Sequence, residues 1–281
     1  MPELPEVETV VRLLRPSLLG RECGRARVGW ERTLGGKTPQ QLTRHVRGKR
    51  VERLWRRGKY IVIELSRDGA SAGCVVVHLR MTGRLYVGPR GEAGTEWTRV
   101  AIDLDGGEEL CFDDVRKFGR FVPAVEAAEV HGELGPEPLG EDFTGAWFAS
   151  ELARRKRMLK PLLLDQLFLA GLGNIYVDES LFGAHLHPLE RSDRVGEERA
   201  KRLHRKIRAV LREAIEREGS SFDTFYRTPE GRPGSYQHQF QVYGREDRPC
   251  RRCKTPIRRI VVGQRGTHFC PRCQPRPRAR R

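Results

Sequence analysis

The sequence predicts an α+β protein of two domains, with β-strands in the N-terminal half and helices followed by a four-cysteine ribbon in the C-terminal half. Three observations support this class. Short β-branched or apolar runs, separated by turns that contain Gly or Asp, dominate residues 20–125. Beyond residue 149 apolar residues recur at helical spacing. Two CxxC pairs close to the C-terminus have the spacing of a zinc ribbon.

The N-terminal half is predicted to begin with a helix over residues 5–14, because Val7, Val10, Val11 and Leu14 recur at intervals of three and four. Pro5 suits a first helical position. Strands are predicted over 60–65, 74–79, 100–104 and 110–112. Several short, closely spaced strands indicate a sandwich or a barrel.

The linker is predicted within a stretch rich in Pro and Gly, since residues 135–140 read Gly-Pro-Glu-Pro-Leu-Gly and continue neither a strand nor a helix. We therefore expect an N-terminal β domain over 1–134, a linker over 135–149, a helical domain over 150–244, a zinc ribbon over 245–274 and a basic tail over 275–281. Helices are predicted over about 148–158, 161–167 and 193–218, and from residue 174 onward.

The chain carries a formal net charge of +16, which is unevenly distributed. Residues 245–281 contain thirteen Lys and Arg against two acids, Glu246 and Asp247, and so hold +11 of the total. This excess predicts an anionic partner such as a nucleic-acid backbone. A solvated tail without a partner is the alternative.

Other classes of protein are less compatible with the composition. No stretch approaches the ~20 apolar residues of a membrane span, and the acidic N-terminus lacks the pattern of a secretory signal. We expect a cytoplasmic protein without a membrane partner. Cys23, Cys74 and Cys111 are scattered and are predicted to be buried free thiols without a function.

The strongest single motif consists of Cys250, Cys253, Cys270 and Cys273, in two CxxC pairs separated by sixteen residues. Four thiolates at this spacing can surround one Zn²⁺ ion and leave no open position, so the metal is predicted to be structural. A redox function of either pair is the alternative. On its own the ribbon, which contains several arginines, indicates only binding to nucleic acid.

The N-terminus suggests a reactive group. If Met1 is removed, Pro2 becomes a secondary amine with a reference pKa of about 7.7–8.0, so that a usable fraction is neutral near pH 7. A neutral amine can attack an aldehydic or acetal carbon and form an iminium ion. Glu3 lies beside it as a candidate proton donor or acceptor. An ordinary exposed terminus is the alternative.

These residues form part of a wider resemblance. Residues 2–10, Pro-Glu-Leu-Pro-Glu-Val-Glu-Thr-Val, resemble the N-terminal signature of the formamidopyrimidine-DNA glycosylases. Further matching motifs extend over nearly the whole chain: RRGKY at 56–60, HLRMTG at 78–83, DVRKFG at 114–119, LGPEPL at 134–139, GLGNIY at 171–176, QVYGR at 241–245 and the terminal zinc finger. The resemblance implies an N-terminal β-sandwich flanked by helices, and a C-terminal helix–two-turn–helix bundle with the four-cysteine ribbon.

The resemblance also implies an activity: a bifunctional DNA glycosylase and AP lyase that excises oxidised purines from duplex DNA during base excision repair. Pro2 would attack C1′ of the damaged nucleotide and Glu3 would assist opening of the sugar. Lys59, at the position of the family's strand lysine, would bind a neighbouring phosphate. The substrate would be double-stranded DNA with oxidised purines or abasic sites, bound by a monomer with one structural Zn²⁺.

Further roles follow from the resemblance alone. An extruded base leaves a gap in the duplex, which Met81, Arg116 and Phe118 would fill, with the arginine pairing to the estranged cytosine. The backbone would be held by Lys160, Asn174 and Arg265, while Tyr176 and Glu179 would support the lesion pocket. Residues 228–239 match the loop that closes over extruded 8-oxoguanine.

Two positions depart from the family pattern: Arg80 stands where glycine is usual, and Val115 replaces a proline. Both leave the nucleophile intact, and each directly precedes a residue that the resemblance assigns to the gap in the duplex, Met81 or Arg116. Two other functions remain open. One is an endonuclease VIII-like enzyme for oxidised pyrimidines, and the other is a non-catalytic zinc-finger DNA-binding relative.

Overall fold

The computed structural model describes residues 1–222 and 225–276, so residues 277–281 of the predicted basic tail lie outside the described residues. The chain divides into two compact units. The first comprises residues 1–133 and 217–235, and the second comprises residues 134–216 and the chain from 236 onward. The fold is of the mixed α+β kind that the sequence predicts.

Within its described residues, the first unit contains three α-helices and eight strands. The helices are α1 (Leu4–Leu18), α2 (Pro39–Val46) and the short α3 (Ala128–His131). The strands are β1 (Glu22–Val28), β2 (Lys49–Arg57), β3 (Tyr60–Arg67), β4 (Ala70–His78), β5 (Gly83–Pro89), β6 (Thr98–Leu104), β7 (Glu108–Asp114) and β8 (Arg120–Ala124).

These strands form an antiparallel sheet in the order β5-β7-β6-β1-β2-β3-β4-β8. Strands β7 and β8 are separated by five others in this order, yet the rings of Phe112 on β7 and Phe121 on β8 lie 5.9 Å apart. The two halves of the sheet therefore face each other as a sandwich, and both rings are fully buried in one apolar core.

Helix α1 covers part of this core and positions the N-terminus. Val7, Val10 and Val11 are buried in it, as the helical spacing predicts. The helix begins at Leu4 because the Glu3 N–H donates to Glu6 Oε2 at 2.7 Å. It runs four residues beyond the predicted end, and the apolar Leu18 in its last turn is fully buried.

A late segment of the chain, residues 217–235, belongs to the first unit. The buried Glu6 side chain accepts the Ser220 N–H through Oε1 at 2.8 Å. Tyr226 is buried in the same core as α1. The sequence analysis placed this segment within 150–244, since nothing in its local pattern indicates a return to the β domain.

The part of the second unit that the structure describes contains four α-helices and a two-stranded ribbon. The helices are α4 (Gly145–Arg154), α5 (Leu159–Leu164), α6 (Asn174–Gly183) and α7 (Glu197–Glu216), and the strands are β9 (Arg258–Val262) and β10 (Arg265–Phe269). Helix α4 begins inside the predicted linker because the Thr144 hydroxyl accepts the Trp147 N–H at 3.1 Å. Within the described residues, no helix has both the length and the apolarity that a membrane crossing requires.

Candidate active site

The predicted nucleophile, Pro2, directly precedes the first turn of α1, where hydrogen bonds to Glu6 hold the backbone. Met1 is exposed, whereas Pro2 and Glu3 are buried. The two oxygens of Glu6 accept the Glu3 N–H and the Ser220 N–H. The backbone that follows Pro2 is therefore fixed both by the first turn of α1 and by residues 217–235. Removal of Met1 would leave the Pro2 amine at a rigid position.

Lys59 lies in a two-residue turn between β2 and β3, directly before the strand predicted over 60–65. Gly58 has φ +55°, and the turn is closed by the pair Arg57 and Tyr60. Arg56 connects this turn to α1, because its Nε donates to Glu8 Oε2 at 3.0 Å and its Nη1 donates to the Gly58 carbonyl at 3.1 Å. Arg56 thus places the Lys59 turn beside the N-terminal half of α1.

His78, at the end of β4, is a buried neutral base next to this turn. Burial and the charges of Arg80 and Lys59 lower the pKa of His78 to about 3. Its Nδ1 accepts the Arg80 N–H at 3.0 Å, and its ring packs edge-on against Tyr60 at 4.6 Å. His78 is therefore uncharged at neutral pH, and the positive charge beside it comes from Lys59 and Arg80.

Two loops present the apolar side chains predicted to act as wedges. Met81, in the β4–β5 turn, is 37% exposed, and Phe118, in the β7–β8 turn, is 50% exposed. The Arg116 guanidinium lies 5.0 Å from the centre of the Phe118 ring, so cation and ring support each other. Exposed large apolar side chains on adjacent turns are consistent with insertion into a ligand.

The buried carboxylate of Asp114 connects the β4–β5 turn to the β7–β8 turn. Asp114 is fully buried; it accepts the Thr82 hydroxyl through Oδ1 and the Gly119 N–H, at 2.6 Å, through Oδ2. The same Thr82 hydroxyl oxygen accepts the Arg116 N–H at 3.1 Å. Asp114 and Thr82 therefore fix the loop that carries Met81 relative to the loop that carries Arg116 and Phe118.

The second unit brings Lys160 and Asn174 to one carbonyl of the ribbon. Lys160 Nζ donates to Gly266 O at 3.1 Å, and Asn174 Nδ2 donates to the same oxygen at 2.9 Å. Lys160 also forms an ion pair with Asp178 at 2.6 Å, and both side chains are 0% exposed. Lys160 is thus buried against the ribbon, and the resemblance assigns it to the residues that hold the DNA backbone.

Arg265 is exposed at the tip of the ribbon, directly beside that carbonyl. It follows a two-residue turn in which Gly263 has φ +56° and Gln264 has φ +62°. Positive φ at both positions is the geometry that suits a tight hairpin. Lys160 and Asn174 hold the strand that begins with Arg265, so they position this arginine for a ligand in solvent.

Tyr176 and Glu179, on α6, are both buried. The Glu179 carboxylate accepts three consecutive backbone N–H groups, those of Gln241, Val242 and Tyr243, at 2.9–3.1 Å. Burial raises the pKa of Glu179 and these three donors oppose the rise. Glu179 therefore anchors residues 241–243, and the ring of Tyr176 packs 5.6 Å from that of Tyr236.

The four ribbon cysteines converge, with every pair of sulfur atoms within 4.8 Å. A tetrahedral Zn²⁺ with Zn–S bonds of about 2.3 Å needs sulfur atoms about 3.8 Å apart, so the donor set fits this ion. Cys250 and Cys270 are fully buried next to Phe182, Val242 and Ile257. The cysteines hold one structural zinc, which substitutes for a large apolar core in this part of the unit.

Comparison with known proteins places the chain among DNA repair enzymes. The sequence models described as the N-terminal domain and the H2TH domain of formamidopyrimidine-DNA glycosylase match residues 1–121 and 134–226. The model of the zinc finger found in FPG and IleRS matches residues 248–276. The formamidopyrimidine-DNA glycosylase of Herpetosiphon aurantiacus is 44% identical over 98% of this chain and 100% of its own length. The chain belongs to the formamidopyrimidine-DNA glycosylase family.

Solved structures agree with this family assignment. MutM (Fpg) of Thermus thermophilus has a TM-score of 0.85 and 42% identity over 97% of this chain and 98% of its own. Lactococcus lactis Fpg in a complex with abasic-site DNA has a TM-score of 0.88 and 35% identity, and the match covers 98% of this chain and 100% of that one. The β-sandwich, the H2TH domain and the zinc finger are thus features that this glycosylase shares with its family.

Three residues of this glycosylase that support its candidate site escaped the sequence analysis: Arg56, Thr82 and Asp114. Each lies inside a motif that was noticed, but each acts through contacts between elements distant in sequence. The Thr82–Asp114 contact spans 32 positions and the Arg56–Glu8 contact spans 48. Asp113 and Asp114, at the end of β7, are the feature that could have indicated the Thr82–Asp114 contact. Acidic side chains at the end of a buried strand need hydrogen-bond donors from elsewhere in the protein.

Proposed function

We propose that this enzyme is a bifunctional DNA glycosylase and AP lyase that excises oxidised purines from duplex DNA in base excision repair. The observation that carries the proposal is the full-length match to formamidopyrimidine-DNA glycosylases together with an ordered Pro2-Glu3 terminus. Complexes of Lactococcus lactis Fpg contain Fapy-dG or abasic-site DNA. Because the substrate is genomic DNA, we place the enzyme in the bacterial cytoplasm at the nucleoid.

The proposed chemistry starts from the Pro2 amine after removal of Met1. The nitrogen attacks C1′ and forms a C–N bond while the glycosidic bond breaks and the base leaves with the electron pair. The nitrogen loses its proton in this step, which balances the proton that the departing base takes up. Glu3 supplies a proton to the sugar ring oxygen as the ring opens and the iminium forms. Loss of a C2′ proton then expels the 3′ phosphate, and a second elimination expels the 5′ phosphate. Water hydrolyses the imine and restores the amine.

Lys59 and the two wedge loops complete the proposed site in the first unit. Lys59 binds a phosphate next to the lesion, since its turn is fixed beside α1 by Arg56. Met81 and Phe118 fill the gap left by the extruded base, and Arg116 pairs with the estranged cytosine. The exposure of these apolar side chains and the rigid Thr82–Asp114 support beneath them favour this role.

In the second unit we propose that Arg265 and Asn174 contact the DNA backbone, with Lys160 acting through Gly266. Arg265 is exposed and can bind a phosphate directly. Lys160 is fully buried and can act only by positioning the ribbon strand. Such contacts hold the duplex in place without reading its sequence. Tyr176 packs against Tyr236, and Glu179 fixes the backbone of residues 241–243. Both residues thereby support the C-terminal end of the loop over residues 228–239, which we propose closes over the lesion.

Borohydride trapping tests the proposal. Full-length enzyme, shown by intact mass to lack Met1, is mixed with a duplex that carries 8-oxoguanine opposite cytosine and, separately, with a thymine-glycol duplex. We expect an adduct on the first duplex that maps to Pro2. A preparation with Met1 retained is the matched control and should bind the duplex without being trapped.

Each of the other outcomes would assign a different function to the protein. Trapping only on the thymine-glycol duplex would assign the enzyme to oxidised pyrimidines, as in the endonuclease VIII-like relatives. Binding without trapping on either duplex, from protein that lacks Met1, would make it a non-catalytic DNA-binding protein. The first result would overturn the substrate class, and the second would overturn the enzymatic activity.

A further inference from the structure

A cavity on the first unit, distinct from the residues discussed above, is lined by four arginines. It has a volume of about 560 Å³ and lies where α2 packs against β1. Arg25, Arg44, Arg47 and Arg67 line it together with small or polar neighbours. The described lining residues include no acidic and no aromatic side chain. The volume falls within the range of roughly 300–1,000 Å³ that small-molecule sites occupy.

These arginines differ from several others on the surface of the unit. Elsewhere on the unit, arginines that pair with carboxylates include Arg12, Arg21, Arg27, Arg50 and Arg53. Within residues 1–222 and 225–276, the four cavity arginines have no carboxylate partner. The only side-chain hydrogen bond described among the four runs from Arg67 Nη2 to the Arg47 carbonyl, at 2.7 Å. Like charges gathered without partners repel one another, and a bound anion relieves that repulsion.

The framework of the cavity is rigid. The Thr43 hydroxyl exchanges hydrogen bonds with the backbone of Ala26, which joins α2 to β1. α2 begins with a capping box between Thr38 and Gln41. Next to the cavity, burial and the charge of Arg67 lower the pKa of Lys49. The site is therefore built on regular elements and has a positive local potential.

The cavity is remote from the catalytic residues of the same unit. Arg67 is the last residue of β3, whereas the Lys59 turn precedes its first residue. At about 3.3 Å per residue the strand separates them by roughly 23 Å. A phosphate bound at Lys59 cannot also be held by these arginines.

We propose that this cavity is a second binding site for a chain of phosphate groups, separate from the lesion-binding surface. Guanidinium groups bind phosphate oxygens through paired N–H donors, and four of them match two or three consecutive phosphates. Without an aromatic side chain the cavity offers no platform for a base, so recognition rests on the phosphates. The ligand is either a free oligophosphate or the backbone of single-stranded DNA, which share this chemistry.

The test uses full-length enzyme whose lesion-binding surface is saturated with a short duplex that carries a stable abasic-site analogue. Sodium tripolyphosphate and a ten-nucleotide oligothymidylate are then titrated in separate arms by calorimetry. We expect wild-type enzyme to bind at least one of them, and the double variant Arg44→Gln/Arg47→Gln to bind it at least about tenfold more weakly. The matched control Arg50→Gln/Arg53→Gln removes the same charge outside the cavity and should retain wild-type affinity.

The two arms identify the source of the phosphate. A loss confined to tripolyphosphate indicates a free oligophosphate, and a loss of oligothymidylate binding indicates a DNA strand. No binding to the duplex-saturated enzyme, or equal weakening in the control variant, would overturn the proposal. Cleavage of a separate duplex with a natural abasic site should be the same for the wild-type enzyme and the variants, so the outcome of the titrations is independent of the proposed glycosylase function. If the glutamine variant melts early, Arg44→Lys/Arg47→Lys retains the charge and should still weaken binding by losing the paired donors.

Discussion

At the scale of single residues, Thr82 is the most informative position of the wedge region. Its hydroxyl donates to Asp114 and accepts the Arg116 N–H at 3.1 Å. Thr82→Ala leaves a buried carboxylate oxygen and an N–H without their partner, which costs about 1–3 kcal/mol in unfolding free energy. We expect excision of 8-oxoguanine to fall about tenfold, because the wedge loops lose their fixed geometry.

The readout for Thr82 separates positioning from chemistry. Cleavage of a preformed abasic site does not need extrusion of a paired base, so it should fall less than excision does. Thr82→Ser retains the hydroxyl and should restore both rates. Equal loss of excision and abasic-site cleavage in Thr82→Ala would contradict the positioning role.

Arg80 is a departure from the family pattern with a conformational cost. Its φ of +53° lies in the left-handed region, where a side chain costs about 1–2 kcal/mol relative to glycine. Arg80→Gly removes this cost, although glycine loses about 0.5–1 kcal/mol through its greater freedom when unfolded. We expect a small net rise in unfolding free energy, of about 0.5 kcal/mol, in urea denaturation; a fall greater than 1 kcal/mol would show that Arg80 makes a stabilising contact.

His78 predicts a pH dependence of stability. Its pKa of about 3 in the folded protein lies below the ordinary value of 6.5, so the unfolded chain takes up the proton first as the pH falls. The contribution of His78 to stability is therefore present above pH 6.5 and decreases as the pH falls toward 3. Urea denaturation at pH 7 and pH 5 should show a smaller loss of stability for His78→Gln than for the wild type. An equal loss in both proteins would contradict the neutral, buried state.

Several single-residue roles could be predicted only through the family resemblance. No local pattern distinguishes a functional residue from an ordinary surface residue at Pro2, Met81 or Lys59. The cysteine spacing is the exception, because the coordination geometry of a metal constrains sequence positions directly. The turn that carries Lys59, in which Gly58 has φ +55°, was not predicted from the sequence, because a tight turn depends on the pairing of its flanking strands.

At the scale of elements, Lys160 connects α5 to α6 and the ribbon. Lys160→Met leaves the buried Asp178 without its cation, and breaking such a pair costs about 3–5 kcal/mol. The double variant Lys160→Met/Asp178→Leu removes both charges and should recover most of that loss in thermal unfolding. If Lys160→Met instead lowers DNA affinity at unchanged stability, its main role is direct phosphate binding.

Glu179 connects α6 to residues 241–243 by three hydrogen bonds. Glu179→Ala removes the acceptor for three neighbouring N–H groups, and we expect a loss of at least about 3 kcal/mol. Hydrogen exchange at residues 241–243 should accelerate more than exchange within α7. Glu179→Gln keeps one acceptor oxygen and should give an intermediate effect; unchanged exchange in Glu179→Ala would exclude the anchoring role.

Elements with a strong periodic pattern were predictable, and those defined by partners were not. Helix α7 and strands β3, β4, β6 and β7 coincide with the expected segments, apart from their ends. Helix α2 was missed inside a region assigned to strands, although Thr38, Pro39 and Gln41 form a capping signature. Residues 217–235 return to the first unit through Glu6 and Tyr226, which is a long-range contact that no local window contains.

At the scale of the whole molecule, the two units differ in how they are stabilised. The first has one large apolar core built from its sheet and α1. The zinc-binding part of the second has a cluster of only a few apolar residues around the cysteines. Most of the net charge, +11 of +16, lies in residues 245–281, which include this part. The stability of the first unit therefore depends on a region other than the one that holds most of the positive charge available for DNA binding.

Removal of zinc should separate these two properties. Four thiolates without a cation cannot maintain the ribbon, so Arg265 loses its position, while the core of the first unit remains. We expect chelation to weaken binding to lesion DNA and to flatten its salt dependence, since fewer phosphates are then neutralised. For the zinc-loaded enzyme, raising salt from about 50 to 200 mM should weaken binding by orders of magnitude if several phosphates are contacted. Circular dichroism should retain the β signal, and added zinc should restore the salt slope. An equally steep slope in zinc-free enzyme would mean that the backbone contacts come from outside the ribbon.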